Sequence, residues 1–170
     1  MISISAIILS FFEGTVSTEN NKKKVKKMSK STVENTTKKY EITNETHPNK
    51  KNLKRIRALK DFSDVKKGDL GGFIESEKNL SHEGDCWVYG NAAVGWDARV
   101  SGNAKVFGDA VVFWDARVSG NAEVSGDASV FDNAKVSEDA VVSWHAVVRG
   151  EAEVSGNARV WGHSKVFGNA

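Results

Sequence analysis

From about residue 77 to its last residue the chain repeats every six residues, and the six-residue units group into eighteens. Written that way they are EKNLSHEGDCWVYGNAAV (77–94), GWDARVSGNAKVFGDAVV (95–112), FWDARVSGNAEVSGDASV (113–130), FDNAKVSEDAVVSWHAVV (131–148) and RGEAEVSGNARVWGHSKV (149–166), followed by FGNA. Val stands at every sixth position from Val88 to Val166. Two residues before each Val is a small residue: Cys86, then Ala from Ala92 to Ala158, then Ser164. Side chains alternate faces along a strand, so Val and the residue two before it point the same way. An unvarying pair of one β-branched and one small residue points inward. The Val suits a strand, and the small residue sits where the chain bends and space is short. Gly, Asn and Asp between Val and the next Ala tolerate corner conformations.

The outward residues set the number of sides. Ser101, Ser119, Ser137 and Ser155 recur at eighteen, and Trp96 and Trp114 lie eighteen apart within the shared string WDARVSGNA. A two-sided coil would echo at twelve, and the sequence does not. The expected fold is all-β: a single-stranded, three-sided parallel β-helix with 18 residues per coil, whose coils pair edge to edge at about 4.8 Å around a column of Val and Ala.

The rest of the chain differs in charge. Residues 1–60 carry 14 Lys/Arg against 5 Asp/Glu, and residues 61–170 carry 10 against 17. Residues 1–39 are polar and read as a solvated, disordered basic tail. Attachment to nucleic acid or membrane by that tail is a weaker alternative, since no aromatic residue interleaves its Lys run to stack on bases. The apolar Met1–Phe12 stretch is too short to span a bilayer and lacks a basic flank ahead of it. Translation from Met28 is an alternative start: Lys24-Val25, if encoded AAG GTG, places a ribosome-binding-like sequence two codons upstream. Residues 40–76 change character, with alternation in Tyr40–Thr43 and Leu53–Leu59, then turn residues from Val65 leading to Phe73-Ile74. This segment is expected to be a small N-terminal β cap, because a first coil without one leaves an unpaired strand edge. The single cysteine, Cys86, excludes an internal disulfide and a Cys-based metal site, and fits a cytoplasmic, reducing location.

Residues 77–170 resemble the hexapeptide-repeat superfamily. The carrying motif is Val-x-Gly-Asn/Asp-Ala-x, as in Val100-Ser101-Gly102-Asn103-Ala104-Lys105, with Gly one position later than in the common family pattern. This variant is similar to uncharacterised bacterial and phage solenoid proteins. The stretch from Arg55 through Gly71-Gly72-Phe73-Ile74 to Ser81 also looks like the cap of that group, and together these cover about three quarters of the chain. The resemblance implies a left-handed coil, where the general rule for crossovers favours the right hand. It also implies two enzyme classes: acyl-CoA-dependent acyltransferases with a His general base between the subunits of a trimer, and zinc carbonic anhydrases with His ligands.

Each His is placed accordingly. His47 reads as linker, and His82 as a capping residue of the irregular first coil. His145 and His163 lie eighteen apart and stack at one corner, in the column Asn91, Asp109, Asp127, His145, His163. They are the candidate catalytic pair if the protein is an enzyme. A corner that accepts Asn or Asp also accepts His, so a purely structural role is the alternative. No metal is expected, because two nitrogens and one carboxylate make a thin zinc site. The outward residues of the Val94, Val112, Val130, Val148, Val166 side say more. Val111, Phe113, Phe131, Val147 and Phe167, with Trp96 and Trp114 at its far corner, form an apolar stripe of the kind that marks an interaction surface. The Ser face, flanked by Arg99, Arg117 and Lys135, reads as solvated. Without inserted loops or a phosphate cradle, the expected function is a structural or interaction solenoid with no cofactor. It is expected to self-associate, as a trimer by the resemblance, through that stripe. The alternative is an acyl-CoA-dependent transferase working at an intersubunit cleft. The chain stops at Ala170 in mid-coil. A truncated product, a covering chain or end-to-end filaments would each account for that.

Overall fold

The computed structural model describes residues 38–168. The tail and the Met28 start fall on residues outside these, apart from Lys38 and Lys39. Residues 80–168 wind as a left-handed parallel β-solenoid of about five turns. Each side of a coil is a strand of two or three residues that pairs in register with the strand eighteen residues on. Lys105, for example, lies against Glu123, Glu123 against Val141, and Val141 against Arg159. Three sheets result. One carries Val88, Val106, Val124, Val142 and Val160. The second carries Val94, Val112, Val130, Val148 and Val166, and the third Val100, Val118, Val136 and Val154. The Val and Ala registers are fully buried from Cys86 to Val148. The rule favouring right-handed crossovers rests on a twisted strand feeding a helix back onto its own sheet. Here a two-residue strand feeds a sharp corner into another sheet, and that constraint lapses.

The corner explains the shifted glycine. The second residue after each Val from Val88 to Val160 turns with positive φ, as at Gly102 (68°), Gly108 (74°) and Gly120 (67°). Glycine occupies that conformation without a steric cost. Five corners hold a larger residue there: Trp96, Trp114, Asp132, Glu138 and Trp144, at φ between 53° and 63°. A left-handed conformation costs such residues about 1–2 kcal/mol. Two of them return a hydrogen bond. Asp132 Oδ2 accepts from the N–H of Gly150 at 3.1 Å, and Glu138 Oε2 from that of Gly156 at 2.7 Å, each in the next coil.

The N-terminal end is covered. Strands β1 (Tyr40–His47) and β2 (Lys50–Ala58) form an antiparallel hairpin, β3 (Leu70–Ile74) pairs with β2, and β3 lies parallel to Ala93–Val94. Cap and solenoid thus share one eight-stranded sheet. Both hairpin strands extend further toward the tip than the alternation at 40–43 and 53–59 indicates. Their added residues, Asn44, Glu45, Lys51 and Asn52, are exposed and polar on both faces, so they carry no period-two signal. The Gly71-Gly72 pair has a packing cause: a Cβ on Gly72 would lie 2.5 Å from Ala92 O and 2.6 Å from Val88 Cγ1. A short 3-10 turn at Glu77–Asn79 leads into the first coil, where buried Asn79 donates to Trp96 O and Ala98 O at 2.8 and 2.9 Å.

Lys39 closes the mouth of the coil. Only 1% exposed, it donates from Nζ to Gly84 O (3.1 Å) and Cys86 O (2.8 Å), and lies 3.4 Å from Cys86 Sγ. Burial lowers the Lys39 ammonium from its ordinary range and raises the Cys86 thiol. His82 fills the expected role of a satisfied capping residue only in part: its ring stacks on Tyr40 at 4.3 Å and Nδ1 accepts from Lys39 N–H at 3.2 Å, but Nε2 is buried without a hydrogen-bond partner among the described residues. His47, expected in a linker, ends β1 and packs edge-on to Phe73 at 4.7 Å. Among the described residues no helix is long and apolar enough to cross a membrane.

Candidate functional site

Successive coils stack in register, so chemistry-bearing side chains gather at corners. The corner after the Val94 side carries Gly95-Trp96-Asp97, Phe113-Trp114-Asp115 and Phe131-Asp132-Asn133 in successive coils. Trp96 and Trp114 are exposed and stack at 5.5 Å with an interplanar angle of 16°. Phe113 meets Trp96 edge-on at 4.8 Å, and Phe131 meets Trp114 at 5.4 Å. The result is a continuous aromatic ridge parallel to the solenoid axis.

The apolar face beside this ridge divides in two. Leu53, Phe73 and Ala93 form a small buried cluster, with Val111 and Phe113 packed against it. The ammonium of Lys50 lies 5.9 Å from the centre of the Phe113 ring. Val111 and Phe113 are thus partly covered by the cap hairpin, which sequence periodicity does not register. Phe131 and Val147 are half-buried, and Phe167 is exposed with the Arg149 guanidinium 4.5 Å from its ring centre. Of the seven expected contact residues, Trp96, Trp114 and Phe167 are the exposed ones, each about half open to solvent.

The corner after the Val88 side gathers the two candidate histidines. The rings of His145 and His163 stack at 4.9 Å and 9°, and His145 Nδ1 lies 3.3 Å from Asp127 Oδ2 in the coil before. The expected column of Asp127, His145 and His163 therefore forms, with imidazole edges turned to solvent. The stacked geometry disfavours a metal ion shared by the two rings. Zinc holds a ring nitrogen at about 2.1 Å, so two nitrogens on one ion are at most about 4.2 Å apart. Face-to-face rings 4.9 Å apart keep like atoms near that larger separation. Among the described residues no group of three or more His, Cys, Asp or Glu is arranged to hold a metal ion.

Two residues at this corner carry more than sequence reasoning assigned. Trp144, adjacent to His145, is 66% exposed, and Trp161, in the next coil, is 67% exposed. Trp144 occupies the positive-φ position that is Gly90, Gly108, Gly126 and Gly162 in the other coils. The sequence signal was available as a Trp interrupting a column of Gly.

The third corner is polar throughout. Asn103 Nδ2 donates to Asn121 Oδ1 at 3.1 Å and Asn121 Nδ2 to Asp139 Oδ1 at 2.9 Å, a side-chain ladder along the axis. On the adjoining face Lys135 pairs with Glu153 at 2.6 Å, while Arg99 and Arg117 lie exposed and opposite one another. This face is solvated, as expected.

No family profile matches the chain. The chain is 43% identical over 54 residues to a protein named Uncharacterized acetyltransferase YdcK from Escherichia coli (strain K12). The match covers 31% of this chain and 17% of that protein, so the chain spans about a sixth of the relative's length.

Proposed function

We propose that this hexapeptide-repeat solenoid is an interaction protein whose aromatic ridge, Trp96, Trp114 and Phe131, joins it to further copies of itself. The observation that carries the reading is the placement of Trp96 and Trp114. Both adopt a conformation that costs a non-glycine residue stability, and both remain exposed after stacking on each other. A straight ridge parallel to the solenoid axis is self-complementary under rotation about a parallel axis, the geometry of closed homo-oligomers. Phe131 carries the ridge beyond the part sheltered by the cap hairpin, and Phe167, past Arg149 in the same column, adds a further exposed ring. Sedimentation velocity at micromolar concentration tests it: the chain is expected to sediment as an oligomer, with a trimer the first expectation. Trp114→Ser should shift it to monomer while leaving the β-rich circular dichroism unchanged. A monomer at high micromolar concentration in the unsubstituted chain overturns the reading.

A second reading is favoured by one contact and one comparison. His145 Nδ1 lies 3.3 Å from Asp127 Oδ2, within reach of the kind of carboxylate that holds a general base. The partial relative bears an acetyltransferase name. On this reading the protein transfers an acyl group from acyl-CoA in a cleft between subunits, with His145 or His163 as base. Calorimetric titration with acetyl-CoA separates the readings. Binding by the oligomer, with acyl transfer lost in His145→Ala, would establish the transferase.

A further inference from the structure

We propose that the exposed corner formed by Asp127, Trp144, His145, Trp161 and His163 is a binding site for a neutral saccharide. The starting point is Trp144. Of the five large residues at positive φ, Asp132 and Glu138 each accept a hydrogen bond from the following coil, and Trp96 and Trp114 stack on one another. Among the described residues Trp144 does neither. It replaces a glycine present at the same place in four other coils, and it presents an indole that is 66% exposed. The coil beyond it offers only Gly162 at the matching position, so one side of the indole is not crossed by a stacked side chain there. Strain retained at an exposed residue without an internal return is the signature of a contact made to something outside the fold.

The surroundings specify what that contact is. The next residue along the chain, His145, stacks its imidazole on that of His163, and Trp161 stands exposed on the next coil. Indole gives an apolar plane and one N–H donor, and imidazole gives a donor and an acceptor on a rigid edge. A pyranose ring has the matching halves: a C–H face for the indole and vicinal hydroxyls that both donate and accept. The Asp127 carboxylate, 3.3 Å from His145 Nδ1, adds an acceptor for a sugar hydroxyl. The face-to-face ring geometry disfavours a shared metal ion. A second copy of this chain suits the purely aromatic ridge of the other corner better than this mixed polar one. The inference does not depend on either reading of function given above, since it requires neither self-association nor catalysis.

The test uses the full chain on an array of neutral and N-acetylated oligosaccharides, with the retained sugars then titrated by tryptophan fluorescence. A subset of neutral sugars is expected to bind, with affinity unchanged between about 0.05 and 0.5 M salt because no phosphate or sulfate contact is made. Trp144→Gly is expected to weaken binding at least about tenfold. It is also expected to raise the thermal midpoint by about 3 °C, because glycine relieves the strained corner. That pair of opposite effects distinguishes a ligand contact from a packing role. Retention of no neutral sugar, unchanged affinity in Trp144→Gly, or a lowered midpoint would each overturn the proposal. A change in the sedimentation coefficient of Trp144→Gly would also overturn it, by assigning the corner to contact between copies.

Discussion

At Ala122 the side chain is fully buried, and its own N–H reaches back to Ser119 O at 3.3 Å to close the corner. The Cβ is therefore pinned between a turn and the solenoid axis, with Ala104 and Ala140 in the same register one coil to either side. Val124, two residues on, points to the same interior and fills the volume that the Ala leaves. The two registers are coupled by packing, since a coil that places a large residue at the bend has no room for it and no way to relax alone. Ala122→Leu should accordingly lower stability by about 1–3 kcal/mol through overpacking, where an exposed substitution such as Glu123→Gln should change it by less than about 0.5 kcal/mol. Urea unfolding of the two variants under the same conditions measures both. Equal midpoints would mean that the interior holds spare volume.

The cap is held to the solenoid by polar contacts that no periodicity announces. Asp64, in the loop between β2 and β3, accepts from Tyr89 Oη at 2.9 Å and from Lys105 Nζ at 3.1 Å, joining the loop to two successive coils. The Lys105 hydrogen bond, reinforced by that of Tyr89, depresses the Asp64 carboxyl from 3.8 to about 2. A depressed folded value means that the contact stabilises the fold fully above about pH 5 and loses that effect as pH falls through 3.8 and then about 2. Asp64→Asn should lower the thermal midpoint at pH 7, and the gap from the unsubstituted chain should close as both are titrated toward pH 2. A gap that stayed constant with pH would assign the loss to shape rather than charge. The same element shows what the sequence makes legible. Gly71-Gly72 and the apolar pair Phe73-Ile74 mark a strand in close approach to the first coil, and the structure puts β3 there. Lys39 was unreadable. Its burial depends on carbonyls of Gly84 and Cys86 that are distant in sequence, and its neighbours in the chain give it the composition of a solvated tail.

Across the whole molecule the period-six register was legible because each coil repeats the same packing problem, and the same pair of residues solves it. The candidate sites were legible as columns for the same reason: a spacing of eighteen becomes adjacency, as the 4.9 Å stack of His145 on His163 shows. What the columns could not reveal is which side chains the cap hairpin shelters, since that contact joins Leu53 and Lys50 to Val111 and Phe113 outside the repeat. Repetition also governs how stability is distributed. Each coil touches only its neighbours, so it is as secure as the coils on either side of it. Strand N–H groups donate forward, Lys105 to Ala122 O, Glu123 to Ala140 O and Val141 to Ala158 O, so the protection of one coil rests on the next. Val106, Val124 and Val142 on one side are fully buried, whereas Val160 on that side and Val166 on the next are only partly so. Amide hydrogen exchange should therefore be graded. Peptides covering 99–112, between the cap and further coils, should show the slowest exchange, and those covering 153–167 should exchange at least about tenfold faster, as lower local opening energies allow. Mass spectrometry of exchanged peptides reads this directly. Uniform protection from 99 to 167 would show that the solenoid opens as one cooperative block, with the cap's eight-stranded sheet transmitting its stability to the last coil described.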